Sequence, residues 1–245
     1  MDVKSLLAII ALCACSDPPA KPDAAVDSAV DGKTADAGRC GADVPLTAEH
    51  LDWDTTDAAF CGVFQATWTV RGSTNPLETA KTPPNGRVVL CIPDAARTTI
   101  DVTPATAASQ CAMTGGTYPL HAVAVIDRSV EAMLSATSVF RGRSFTGARE
   151  TSFYTQIGAA YDPGKGALLV HVAGTPHPVA ISGTHDATQR FDGSSWAAGD
   201  TGIDVYFPNV PVGTTTVTGA AGTIGGGSVP IEANTVTFAT LYSPT

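Results

Sequence analysis

The chain has 245 residues, with 14 Lys and Arg against 23 Asp and Glu and a formal net charge of -9. Apart from Arg141-Gly142-Arg143 there is no basic cluster, so the cationic stripe that binding to nucleic acid phosphates requires is missing. The acidic balance alone implies solubility and no particular partner.

At the N-terminus Lys4 precedes an apolar run from Leu6 to Leu12, and Leu12-Cys13-Ala14-Cys15 follows. As a helix this run reaches only about 10 Å, against about 30 Å for a bilayer core, so residues 1–15 read as an export signal and not a membrane span. The tetrad resembles the bacterial lipobox. That resemblance implies cleavage before Cys15, acylation of its thiol and attachment to a membrane through that lipid; Ser16 in the next position implies sorting to the outer membrane. Acyl chains contribute about 0.8 kcal/mol per buried CH₂, and several of them hold firmly. An ordinary secretory signal with a chance cysteine is the alternative.

Residues 16–39 repeat Pro, Ala, Asp and Val without an aromatic residue or an apolar period, as in Asp23-Ala24-Ala25-Val26-Asp27. Such a segment cannot bury enough apolar surface to offset an ordering cost of about 1–2 kcal/mol per residue, and a disordered tether is expected. Beyond it, Cys40, Cys61, Cys91 and Cys111 form an even set in an exported protein, which predicts two disulfides. Pairing Cys40 with Cys61 and Cys91 with Cys111 closes loops of about 20 residues, each worth roughly 3 kcal/mol in the chain-entropy model. A zinc site is the alternative, but the knuckle spacing that sets thiolates tetrahedrally is absent.

The remainder reads as all-β. Val63 to Arg71 alternates, placing Phe64, Ala66, Trp68 and Val70 on one face of a half-buried strand. Strands are predicted over Val88 to Ile92, following the Asn85-Gly86 turn, over Thr98 to Thr103 and over His121 to Ile126. Residues 129–158 have helical character: Val130, Met133 and Leu134 share a face, and Thr146 is placed to cap a second helix. Strands follow over Ala167 to Val172, Pro178 to Ser182, Asp204 to Phe207, Thr214 to Thr218 and Val229 to Leu241. The predicted organisation is therefore a first β-rich module over 40–128, a helical insert over 129–158 and a second module over 159–245.

In the second module Gly166-Ala-Leu-Leu-Val-His-Val, Gly174-Thr-Pro-His-Pro-Val-Ala-Ile-Ser, Val205-Tyr-Phe-Pro-Asn-Val-Pro-Val-Gly213 and Val229-Pro-Ile-Glu-Ala-Asn-Thr-Val-Thr-Phe238 resemble the carboxypeptidase regulatory-like (transthyretin-like) family. The resemblance covers about 80 residues and implies an antiparallel β-sandwich of prealbumin-like type. In that family the phrase matched by Phe207 to Gly213 is a strand, a tight turn and the next strand. A fainter echo over Phe64 to Leu90 implies a second, related module. The expected fold class is all-β, with one or two antiparallel β-sandwich modules and a short helical insert. The resemblance implies an accessory, non-catalytic role and names no ligand.

Candidate chemistry is sparse. His171, His177 and His185 lack diagnostic metal spacing; His171 is out of phase with Leu168, Val170 and Val172 and is expected to face solvent or the second face of its sheet. Thr184-His185-Asp186 with Ser182 or Ser194 suggests an uncharacterised hydrolase, but no nucleophile elbow surrounds either serine and no His-Glu-x-x-His exists. The Gly222 to Gly227 stretch lies between strands and lacks the helix N-terminus a phosphate loop needs. Trp196 is expected to anchor its own loop onto the core, with stacking on a sugar ring beside Tyr206 and Tyr161 as the alternative. No metal and no cofactor are expected. The leading expectation is a non-enzymatic lipoprotein of the cell envelope acting as a scaffold or protein-interaction module, with envelope protein or glycan as partner; a carbohydrate-binding surface lipoprotein and a hydrolase are the alternatives.

Overall fold

The computed structural model describes residues 39–56, 58–104, 116–134 and 139–244. Cys15, Cys111 and the tether up to residue 38 lie outside them. In chain order the described strands are β1 (Val44–Asp52), β2 (Thr67–Val70), β3 (Thr79–Lys81), β4 (Arg87–Ile92), β5 (Arg97–Thr103), β6 (His121–Asp127), β7 (Phe140–Ser144), β8 (Gly166–Gly174), β9 (Ala180–Ile181), β10 (Gln189–Phe191), β11 (Trp196–Ala198), β12 (Asp204–Val210), β13 (Gly213–Thr218), β14 (Gly227–Ile231) and β15 (Thr235–Ser243). Between them lie a 3₁₀ turn (Pro76–Glu78) and the short α-helices α1 (Arg128–Glu131) and α2 (Gly147–Gln156).

Nine strands pair into one sheet in the order β11-β10-β12-β8-β15-β6-β5-β2-β3, and two three-stranded sheets, β4-β1-β7 and β14-β13-β9, accompany it. The middle of the large sheet is covered on both faces. Along β8, Ala167, Leu169 and Ala173 enter one core while Leu168, Val170 and Val172 enter another; along β15, Val236 and Phe238 oppose Ala239 and Leu241 in the same way. The period of two sends alternate side chains to opposite faces, and burial of both faces makes these strands read as nearly continuous apolar runs. The first core is closed by Leu46, Ala48 and Leu90 of the β4-β1-β7 sheet and by Phe153 and Tyr154 of α2. The second is closed by Val217, Val229 and Ile231 of β13 and β14. Two sandwiches thus share one large sheet, and the all-β class expected from sequence holds.

The expected division at residues 128 and 159 does not coincide with a break in that sheet. β15 pairs in parallel with β6 on one side and with β8 on the other, so strands from both stretches lie side by side. Nor is 129–158 wholly helical. Its middle forms β7, which pairs in parallel with β1, and Thr146 caps α2 by accepting a hydrogen bond from the Arg149 amide. The first alternating strand starts at Thr67, later than its pattern suggests, because Gln65 takes a left-handed backbone (φ 62°) and interrupts the extended run. Asn234 (φ 55°) likewise divides Val229 to Leu241 into β14 and β15. The Phe207 to Gly213 phrase is the end of β12, a turn at Pro211-Val212 and the start of β13.

The cysteine pairing is corrected. Cys40 bonds Cys91, 51 residues away, with Cα atoms 5.5 Å apart, and Cys61 is also disulfide-bonded. Short loops are not what brings Cys40 to its partner: the antiparallel register of β1 on β4 sets Pro45 opposite Cys91 and carries the residues before β1 to that strand. A loop of this length corresponds to about 4 kcal/mol in the chain-entropy model.

Close approach of β7 to the large sheet depends on Gly142, where an added Cβ would lie 2.4 Å from two carbons of the buried Phe238 ring. Gly142→Ala is expected to destabilise the fold by about 1–3 kcal/mol, the usual cost of overpacking a filled core. Urea unfolding should show a lower midpoint at unchanged slope.

Candidate functional site

A buried ion pair lies where β7 meets the large sheet. Arg143 is 2% exposed, and its Nε donates to Asp204 Oδ2 at 2.7 Å. Its Nη1 donates to the Thr55 carbonyl at 2.7 Å and to the Trp53 carbonyl at 3.3 Å, and the guanidinium carbon sits 4.3 Å from the centre of the Phe191 ring. The other Asp204 oxygen, Oδ1, lies 2.7 Å from His171 Nδ1. Burial pushes the Asp204 carboxyl up, but the Arg143 guanidinium, the hydrogen bond and charge of His171 and the more distant Arg141 outweigh it and hold the carboxyl well below the usual range. His171 is therefore on the second face of its sheet, buried against an acid and not facing solvent.

A second cluster is aromatic. Trp53 is stacked between Phe145 (3.6 Å between centroids) and Trp196 (4.1 Å, 9° between planes). Trp196 Nε1 also donates to the Trp53 carbonyl at 3.2 Å, and Phe191 leans on its ring. The half-buried Trp196 thus anchors β11 onto the core. Tyr206 is fully buried and has no face for a sugar; its hydroxyl is 3.0 Å from that of Tyr154. Tyr161 packs edge-on against Tyr154 and donates to Asn234 Oδ1 at 2.6 Å. The three residues considered as a possible glycan-stacking set are thus engaged with the protein itself, Tyr206 wholly so. Burial, with the Glu150 and Asp162 charges behind it, pushes the Tyr161 phenol up to about 12.

The expected hydrolase residues are also occupied elsewhere. His185 Nδ1 bonds the backbone carbonyl of Asp186 and not its carboxylate, which accepts from Asn209 Nδ2. Ser182 Oγ meets Thr215 and Ser194 Oγ donates to Asp192. A different serine and histidine do meet: His50 Nε2 is 2.7 Å from Ser144 Oγ. The indole N–H of Trp68, which can only donate, faces His50 Nδ1 at 3.4 Å, so the ring proton belongs on Nε2 and His50 donates to Ser144. Burial pushes this imidazole down to about 3, and a general base needs the opposite arrangement. Among the described residues no group of three or more His, Cys, Asp or Glu is placed to hold a metal ion. His177 bridges Thr175 and Thr223, and the Gly222 to Gly227 stretch joins β13 to β14, its Gly226 carbonyl accepting from Arg97.

Glu150, in the first turn of α2, is buried, and its Oε1 has no hydrogen-bond partner among the described residues. Burial pushes its carboxyl up to about 7. Sequence reasoning missed Glu150 and Arg143 because charged residues are normally solvated, and no neighbouring pattern marks these two as interior.

No family model and no curated protein matches the chain. Among solved structures it is similar to the Bacillus anthracis TIE protein (11% identity over 82% of this chain and 34% of that one, TM-score 0.24), so it spans about a third of that protein's length. It is also similar to GBS52, the minor pilin of Streptococcus agalactiae (11% identity, 82% and 97%, TM-score 0.22), and to the shaft pilin SpaA of Lactobacillus rhamnosus GG (9% identity, 83% and 98%, TM-score 0.25). Superpositions this loose bear on neither family nor function. What the coordinates define is a class: an all-β protein of two sandwiches on one mixed sheet.

Arg143→Met is expected to cost about 3–5 kcal/mol, because Asp204 is left buried without its cation. A carboxyl held low in the fold contributes stability that is present above its unfolded value, about 3.9, and lost as pH falls. The deficit of Arg143→Met relative to the parent should therefore shrink between pH 7 and pH 3 in urea titrations. Glu150 has the opposite sign: its protonated form stabilises below the unfolded value, and that contribution disappears as pH rises through about 7. Glu150→Gln should stabilise the protein at pH 8, by up to about 3 kcal/mol, and do little at pH 5, as read from thermal melts.

Proposed function

We propose that the chain is a lipid-anchored protein of the cell envelope whose folded part serves as a non-catalytic scaffold or interaction module. The observation that carries this reading is Leu12-Cys13-Ala14-Cys15 behind a short apolar run, with Cys15 as the lipidated residue. The Cys40–Cys91 disulfide supports it, since such bonds persist in oxidising compartments outside the cytosol. Among the described residues no helix is long and apolar enough to cross a membrane. The commitment of His50, His185, Ser182 and Ser194 to structural hydrogen bonds supports a role without catalysis. The packing of β12, β8 and β15 on β13 and β14 suits the carboxypeptidase regulatory-like resemblance over this stretch. Outer-membrane placement rests on Ser16 and belongs to the same proposal.

Fractionation of cells expressing the parent chain and Cys15→Ala tests it. The parent should enter the detergent phase and show an acyl mass on an N-terminal Cys15, while Cys15→Ala should be released as soluble protein. Equal retention of both in the membrane fraction would remove the proposal's basis.

A further inference from the structure

A pocket of about 90 Å³ lies beside the buried ion pair, between β1, β7 and the segments around Phe191 and Ile203. At roughly 10–15 Å³ per water position it has room for several waters or one short organic molecule. Arg141 and Arg143 line it, and Leu51, Phe60, Phe191 and Ile203 supply apolar walls. Phe60 is 55% exposed, an unusual setting for a large apolar ring.

The two arginines are not used up by their partners. Arg143 reaches the pocket although it is 98% buried. Its Nε and Nη1 are taken by Asp204 and by backbone carbonyls, and Nη2 has no hydrogen-bond partner among the described residues. Arg141 directs Nε and Nη2 at a single oxygen of Glu49, at 3.3 and 3.0 Å, which leaves Nη1 without a hydrogen-bond partner among the described residues. Residues 141 and 143 are two apart on one strand and so share a face.

We infer that this pocket binds a monocarboxylate carried on a short apolar stem. Two unshared guanidinium donors offer one charge-assisted hydrogen bond to each carboxylate oxygen, and the apolar walls take the carbon stem. Each arginine is already matched by an acid, Glu49 or Asp204, so little net positive charge remains. A dianion such as phosphate therefore gains no advantage over a monoanion, and its hydration is lost against apolar walls. Glu49 repels any anion that enters and keeps the affinity modest. The inference stands independently of the envelope reading.

Titration of the full chain with sodium butyrate, butyramide and inorganic phosphate, followed by amide NMR shifts, tests it. Butyrate should saturate with a dissociation constant on the order of 1 mM, with butyramide and phosphate at least about tenfold weaker. Arg141→Gln/Glu49→Gln removes the pair as a unit and leaves Arg143 on Asp204; it should weaken butyrate by about tenfold or more. Phe60→Ala, at an exposed position, should weaken butyrate and leave acetate unchanged. Absence of saturable butyrate binding would overturn the inference. So would phosphate binding as tight as butyrate, or butyrate binding unaffected by both variants.

Discussion

The guanidinium of Arg143 joins the small sheet to the large one, and much of the interior is arranged to keep it charged and paired. Its partner Asp204 begins β12, its carbonyl acceptors belong to the loop after β1, and Phe191 on β10 covers its plane. Removing a cation and an acid from water costs several kcal/mol each, and the attraction between them recovers this only when the remaining donors and acceptors are also met. Here His171 meets the second Asp204 oxygen. Such a pair adds little net stability over a well-packed apolar pair, although removing one member alone is costly. With Gly142 against Phe238, a one-residue slip of β7 on β1 would put an arginine against the aromatic core and a glycine beside the acid, so register and charge pairing enforce one another.

Around this junction the aromatic stack of Phe145, Trp53 and Trp196, with Phe153 of α2 edge-on against it, ties α2, the residue after β1 and the β10-β11 hairpin into the same core. Each aromatic contact adds about 0.5–1.5 kcal/mol beyond its burial. The stack also explains why Trp196 is unavailable as a platform. The sequence offers an aromatic residue in a turn-rich stretch, and only the tertiary partner decides which way it faces.

Much of the strand pattern was legible from residues alone. Strands β4, β5, β6, β8, β12 and β13 lie where apolar runs or alternation place them, because most of their inward positions are Val, Ile, Leu, Ala and Phe. Strands β1 and β7 escaped notice for the opposite reason. Their interior positions include His50, Asp52, Gly142 and Arg143, which break the apolar period yet are satisfied by partners far along the chain. The Cys40–Cys91 bond and the parallel pairing of β6 with β15 depend on contacts between distant segments, and neither leaves a trace in local spacing. Of the residues considered as ligand contacts, Tyr206 proved interior and Trp196 and Tyr161 half-buried against their own neighbours, while the charged residues at the heart of the structure carried no local mark.

Strand β15 follows every other strand in the chain and yet occupies the centre of the nine-stranded sheet, hydrogen-bonded to β6 on one side and β8 on the other. Until it is in place, both neighbours have an open backbone edge and both cores lack a wall. The stretch up to β14 can therefore hold the two sandwiches only as incomplete fragments. The cooperative step waits for the final insertion of a strand between them. Until that insertion the facing edges of β6 and β8 are the places where a wrong strand would pair most readily.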